Sequence, residues 1–355
     1  MRAMILAAGF GTRLQPLTHT VSKPMIPMLG RPCMEHIVLH LREHGFTDII
    51  ANLHYLPDQV KEHFQTGHRW GVEMFYSLEK ELLGTAGGLK KVESFFGEGD
   101  VLVISGDALT DINLKEFYRQ HVFSGAVASL ALKKVGDPSQ YGVVVKDEGN
   151  RIKAFQEKPS PEEAISNLAN TGIYLFKTDI FKYIPENTFF DFAKDVFPRL
   201  LADKVPMMGY NMSRYWCDIG GIEAYREAHY DMLMGIVQVH LPGKSFSQHT
   251  TVGENVKIHP ETEIHGPVFI GDNCVIEKGA SLYGPLSLGA NSVVRTGAFL
   301  KRGIFWDDVE VGAETELRDV IMGAGCRVDE GIYLENEVVE GVKPPFFKKE
   351  EEGCS

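Results

Sequence analysis

The chain has 355 residues, 44% of them hydrophobic and 24% charged, enough for a sizeable core in two domains or in one large domain with an appendage. Its 48 acidic against 36 basic side chains leave a net charge of −12, which argues against nucleic acid or an anionic membrane as a main partner, since both call for a basic surface. A small anionic ligand, held locally by cations, backbone N–H groups and a metal, stays compatible with that charge.

The apolar start, Met4 to Ala8, is too short for a secretory segment, and no apolar run is long enough to span a membrane. The cysteines Cys33, Cys217, Cys274, Cys326 and Cys354 are scattered without a CxxC pair and read as reduced thiols in a cytoplasmic protein. Strands are expected at Met4–Ala8, Asp48–Asn52, Glu73–Ser77 and Val101–Ser105, with helices at Pro32–His44 and Pro57–Phe64. This alternation predicts an α/β domain over residues 1–235 with a mostly parallel sheet, its ligands at the carboxyl ends of the strands. Two motifs fall at such ends, Gly9-Phe10-Gly11-Thr12-Arg13 after the first strand and Gly106-Asp107 after the fourth.

From Val252 the period changes. Val252, Ile258, Ile264, Ile270, Ile276, Leu282, Leu288, Val294 and Leu300 recur every six residues, each followed four positions later by a small or apolar residue. A hexad fits one face of a three-sided coil, so the pattern predicts a parallel β-helix over residues 244–340, with a slip of register after Trp306. Alternating strands of an ordinary sheet have period two and would not hold this register. The tail, residues 341–355, is rich in proline and charge and reads as disordered.

Several residues carry chemistry. Gly9 and Gly11 after a buried strand allow close backbone approach and an anion-binding nest, to which Arg13 and, ten residues on, Lys23 beside Pro24 add cations suited to phosphate. Leu14 stands where a dinucleotide fingerprint needs its last glycine, and Gln238 spoils a phosphate-loop reading of Gly243-Lys244-Ser245. Asp107 closes an apolar strand and Asp218 lies in Trp216-Cys217-Asp218-Ile219-Gly220; two such acids suit Mg²⁺ if they converge. Gly142, Glu157, Lys158 and Asn170 set polar groups beside strand residues, where Glu157 suits sugar hydroxyls and Lys158 a sugar phosphate. His36, His40 and His44 share a helix face and read as a packed stripe rather than a metal site. His249, His259 and His265 on the early coils leave acyl transfer open as a second activity.

Together these motifs resemble those of the sugar-1-phosphate nucleotidyltransferases: the Gly9–Arg13 loop with Lys23-Pro24, then Gly106-Asp107, Glu157-Lys158-Pro159, Asn170-Thr171-Gly172 and Trp216–Gly220, in the family's order. The resemblance implies a Rossmann-like mixed, mostly parallel sheet nucleotidyltransferase domain followed by a left-handed parallel β-helix. It implies that Leu6, Ala8, Gly9, Gly11, Thr12, Arg13, Lys23, Glu81, Gly84 and Thr85 bind the nucleotide. It assigns the sugar phosphate to Gly142, Glu157, Lys158 and Asn170, and Mg²⁺ to Asp107 and Asp218, with Arg13, Lys23 and Asp107 catalytic. The stretch Leu83-Gly84-Thr85-Ala86-Gly87-Gly88 is similar to the Leu-Gly-Thr-Ala-Gly-Pro of mannose-1-phosphate guanylyltransferases, with Gly88 in place of proline. It favours GTP with mannose 1-phosphate, thymidylyl or uridylyl transfer to glucose 1-phosphate being the alternative. A regulatory subunit that binds without turnover is the non-enzymatic alternative. A β-helix with open ends implies a homo-oligomer.

Overall fold

The computed structural model describes residues 1–239, 241–247 and 249–342; the tail from residue 343 on, with Cys354, lies outside them. By packing, the chain forms two units that do not follow chain order. One comprises Met1–Phe10 and Met34–Asp218, the other Gly11–Cys33 with the chain from Ile219 onward.

The first unit contains β1 (Arg2–Leu6) and, beyond the hairpin β2–β3 (Pro27–Met28 and Arg31–Pro32) of the other unit, β4 (Asp48–Leu53), β5 (Glu73–Leu78), β6 (Val101–Ser105) and β7 (Ala108–Thr110). They are followed by β8 (Ala128–Lys134), β9 (Gly142–Lys146), β10 (Ile152–Glu157), β11 (Leu168–Phe176), β12 (Met207–Asn211) and β13 (Trp216–Asp218). The main sheet runs β10-β9-β11-β6-β1-β4-β5, with β8 joining β11 to β12. It is mixed. The block β6-β1-β4-β5 is parallel, as the alternating pattern implies, whereas β11 meets β6, β8 and β9 antiparallel. The inner parallel strand β6 is a continuous apolar run, with Val101, Leu102, Val103 and Ile104 all fully buried, whereas the edge strand β5 alternates buried and exposed residues.

Helices α1 (Cys33–Glu43) and α2 (Pro57–Phe64) sit where the sequence places them. β1 is displaced from Met4–Ala8 to Arg2–Leu6. Ala7 leaves the ladder because its N–H donates to the Asn52 side chain at 3.0 Å. The histidine stripe is packing: His40 Nε2 lies 2.8 Å from the Ile112 carbonyl, and the His40 and His44 rings are 4.4 Å apart. Burial, then the neighbouring His44, lowers the His40 pKa from 6.5 to about 4. No helix among the described residues is long and apolar enough to cross a membrane.

In the second unit, three parallel ladders stack the short strands of residues 250–339 into a three-sided coil, consistent with a left-handed β-helix. The hexad residues Ile270, Ile276, Leu282, Leu288, Val294 and Leu300 fill its interior. Leu282 lies opposite Leu300, but Leu288 lies opposite Phe305 and Leu300 opposite Leu317. Each turn is therefore one residue shorter from this point. The change falls at the Arg302-Gly303 corner, ahead of the expected Trp306. Earlier corners of this edge carry Gly266-Pro267 and Gly284-Pro285; Arg302, Asp319 and Asn336 turn the later ones with left-handed φ of 53 to 57°. The strand Lys244–Ser247 pairs antiparallel with Thr250–Val252 and covers the first edge of one ladder.

Candidate active site

β1 lies between β4 and β6, so the strand order reverses there, and in sheets of this kind ligands bind outside the carboxyl ends at such a reversal. Gly106 holds the ends of β1 and β6 together. Its N–H donates to the Leu6 carbonyl at 2.8 Å, and a Cβ at this position would lie 2.8 Å from that oxygen. Asp107 follows directly. β7 then pairs antiparallel with β13 so that Ala108 faces Asp218. The two expected metal acids thus stand at neighbouring register positions, both partly buried. A pair of carboxylates suits Mg²⁺, which takes one or two protein carboxylates with waters and substrate phosphates rather than an all-protein cage. Among the described residues no cluster of three or more His, Cys, Asp or Glu could form such a cage.

Trp216 ties the remaining motifs to this end of the sheet. Its Nε1 donates to the Thr171 carbonyl at 2.9 Å, and its ring meets Tyr141 edge-on at 5.2 Å. Glu157 faces Gly142 across the β9–β10 ladder, where a Cβ would come within 2.7 Å of Glu157 Oε2. The same Cβ would come within 2.5 Å of Phe155 Cζ, so glycine leaves room for both the ring and the carboxylate. Lys158 turns out of β10 with φ 45°, its N–H on the Tyr141 carbonyl at 3.1 Å. Asn170 donates to the Tyr174 hydroxyl at 2.9 Å, and its Oδ1 accepts from Gly172 N–H at 3.3 Å. Burial pushes the Glu157 pKa up; Lys158 and Lys194 oppose the shift, and Asp191 adds to it. Asp191 and Lys194 thus belong to the charge set around Glu157. Nothing in their sequence setting marks them; only the shared polar surround does.

The Leu83–Gly88 stretch becomes α3 (Gly84–Lys91), with two further short helices nearby, α4 (Glu93–Phe96) and, beyond α5 (Leu114–Ser124), α6 (Phe197–Ala202). The N–H groups of Ala86 and Gly87 both donate to the Phe190 carbonyl, at 2.9 and 3.0 Å. Gly84, at φ 73°, and Gly87 admit that segment: a Cβ on either would lie 2.5 Å from the carbonyl oxygen of Phe190 or Thr188. The Thr85 hydroxyl donates to Asp191 at 2.8 Å and accepts from Phe192 N–H at 2.9 Å. Glu81 is exposed, and the buried acid of this stretch is Glu79.

In the second unit Gly11 turns with φ 68°, and a Cβ there would meet Lys23 Cβ at 3.0 Å. Thr18 closes the turn by donating to the Gly11 carbonyl at 2.9 Å. The Lys23 stem therefore packs on the turn that leads to Thr12 and Arg13, with the Arg13 side chain exposed. The following hairpin is fixed by buried donors. Trp306 Nε1 donates to the Tyr225 hydroxyl at 2.8 Å, and that hydroxyl donates to the Pro27 carbonyl at 2.7 Å. Tyr225 belongs to α7 (Ile222–Leu233). Of the coil histidines, His259 Nδ1 accepts from Glu261 N–H at 3.1 Å, His265 stacks on Tyr283 at 4.5 Å, and His249 is exposed. They form no common site.

Residues 2–235 match the nucleotidyl transferase family, and the chain belongs to it, in the sugar-1-phosphate nucleotidyltransferase branch that its motifs resemble. It is similar to a UTP–glucose-1-phosphate uridylyltransferase of Synechocystis, 41% identical over 76% of this chain and 74% of that one. It is also similar to a mannose-1-phosphate guanylyltransferase of Mycobacterium tuberculosis, 32% identical over 75% of this chain and 79% of that one. Among solved structures, a protein of Bacillus anthracis described as a glucose-1-phosphate thymidylyltransferase superposes with a TM-score of 0.59 at 27% identity, over 64% of this chain and 94% of that one.

Proposed function

We propose that the chain transfers a uridylyl group from UTP to glucose 1-phosphate, giving the nucleotide sugar and pyrophosphate. The observation that carries the choice of pair is the 41% identity to a UTP–glucose-1-phosphate uridylyltransferase, against 32% for the guanylyltransferase. Gly88 supports it, since it departs from the guanylyltransferase stretch at a position where a side chain would strike Asn52 and Glu79. GTP with mannose 1-phosphate is the second reading, favoured by the Leu83–Gly87 stretch itself.

The attacking group is already an anion, so no general base is required. A phosphate oxygen of the sugar phosphate forms a bond to the α-phosphorus of the nucleotide, and the α–β anhydride bond breaks as pyrophosphate leaves. The difficulty is charge repulsion between two anions. In this proposal Arg13 and Lys23 neutralise the triphosphate, with backbone groups of Leu6, Ala8, Gly9, Gly11 and Thr12 around it. Gly84 borders the nucleotide, as does the Thr85 backbone. Lys158 binds the sugar phosphate, while Glu157 and Asn170 accept and donate to sugar hydroxyls above Gly142. Asp107 and Asp218 would hold Mg²⁺, which supplies further neutralisation of phosphate charge. The partly buried residues of the terminal coils, Val252, Ile258 and Leu334 among them, support self-association. Light scattering that reads a monomer would remove that part.

The test is pyrophosphate release with Mg²⁺ over a grid of nucleoside triphosphates and sugar 1-phosphates. UTP with glucose 1-phosphate is expected to give the highest kcat/KM. A maximum at GTP with mannose 1-phosphate would establish the second reading, and silence across the grid would overturn both.

A further inference from the structure

Two polar side chains beside α3 are almost completely enclosed: Asn52 is 3% exposed and Glu79 2%. Burying a carboxylate is costly unless its oxygens are hydrogen-bonded, and here both are. Asn52 Oδ1 accepts from Ala7 N–H at 3.0 Å, and its Nδ2 donates to Glu79 Oε1 at 2.7 Å. Glu79 Oε2 accepts from Leu83 N–H at 3.0 Å. The Glu79 backbone is held as well, its N–H on the Leu53 carbonyl at 2.8 Å and its carbonyl 2.9 Å from His54 Nδ1. The relay runs from the exit of β1, where the glycine-rich loop begins, to the residue before Gly84. Leu83 is pinned from the other side too, since its carbonyl accepts from Phe190 N–H at 2.9 Å.

Gly88 makes the space. A Cβ there would lie 2.7 Å from Glu79 Oε1 and 2.9 Å from Asn52 Nδ2. A buried polar pair that served only the sheet would end on strand residues. This one ends on Leu83 N–H, just ahead of Gly84 and Thr85, which the proposed function sets beside the nucleotide.

We propose that Asn52 and Glu79 are positioning residues, a clamp that sets the place of Leu83–Thr85 and through it the affinity for the nucleoside triphosphate. The inference rests on the reading of Leu83–Gly88 as the border of the nucleotide site. The clamp has a fixed polarity, and that makes it testable. Glu79→Gln puts an amide donor against one of two N–H donors. Asn52→Asp sets two carboxylates face to face. The double variant restores every contact with the central bond reversed: the carboxylate at 52 accepts from Ala7 N–H and from the new amide at 79, whose oxygen accepts from Leu83 N–H. Net charge is unchanged.

Steady-state kinetics of the full chain decides. Each single variant is expected to raise the KM for UTP about tenfold, the scale of one unsatisfied buried group, with a smaller effect on kcat and on the KM for glucose 1-phosphate. The double variant is expected to return close to the parent. If a single variant fails to fold, Gly88→Ala, which crowds the pair and removes neither side chain, should raise the KM for UTP in the same direction. Unchanged KM values in the singles, or a double variant no better than either, would overturn the clamp; the latter is also the result if the Glu79 carboxylate reads the base itself. A rise confined to glucose 1-phosphate would instead overturn the placing of Leu83–Gly88 at the nucleotide.

Discussion

The parallel strands of the sheet and those of the coil solve the same packing problem in opposite ways. In the sheet, β1 pairs with strands far along the chain, Arg2 opposite Asp48 and Ala3 opposite Leu102, and its neighbours are apolar on both faces. In the coil each strand has two or three residues, turns one face inward, and pairs with the strand one turn on, as Val268 does with Leu286. Stability in the sheet is shared across the whole unit. In the coil it is a sum over turns and the interfaces between neighbouring turns. The proposed site draws on segments where neither regularity holds: Gly106-Asp107, the Lys158 turn and the Gly11–Lys23 segment.

Four experiments probe that contrast. The largest effect is expected at an irregular segment: Lys23→Ala should lower kcat by about 10²-fold or more with the unfolding profile kept, as for loss of one transition-state donor. Near-normal kcat would remove Lys23 from the site. Next, Leu102→Ala and Leu300→Ala both create cavities worth about 2–5 kcal/mol, but with different consequences. Leu102→Ala should shift one cooperative transition of the first unit. Leu300→Ala should open a few turns and raise hydrogen exchange locally. Identical exchange patterns in the two variants would erase the distinction. Tyr225→Phe leaves the Trp306 N–H and the Pro27 carbonyl without the shared hydroxyl and should cost about 1–3 kcal/mol. A neutral result in thermal unfolding would mean that water replaces it.

The smallest expected effect is a pH dependence in the sheet unit. The lowered His40 pKa means that the ring is neutral at pH 7 in the folded chain. The unfolded chain takes up this proton first on acidification. The contribution is therefore whole above pH 6.5 and is lost as pH falls towards about 4. The stability difference between the parent and His40→Gln should shrink across that window. A constant difference would show that the ring does not titrate there.

Much of both regions was legible in the residues themselves. Val101–Ser105 and Pro57–Phe64 are found with the bounds expected, because an apolar run and a proline-initiated helix are local signals. The hexad places the coil interior, since every turn repeats one face. The one-residue shortening at Arg302-Gly303 escapes it because later inward residues still fall on apolar positions, one place early. The relay through Asn52 and Glu79, the charges of Asp191 and Lys194 near Glu157, and the engagement of Thr85 by Asp191 have no local pattern. Each joins side chains brought together only by the folded sheet. The sequence motifs also mark a boundary after residue 235, whereas packing assigns Gly11–Cys33 to the later unit through contacts such as Tyr225 to Pro27.

That assignment changes what the coil is for anyone who wishes to trim or transplant it. The chain passes between the units after Phe10, after Cys33 and after Asp218, so no single cut separates them. Ending the chain after Gly235 would strip the Pro27–Gly30 turn of Trp306 and Phe269, exposing a face that the coil now keeps dry. The repeats are thus scaffolding for an early stretch of sequence. In such a molecule the last third of the chain must be made before the segment carrying Lys23 finds its final packing.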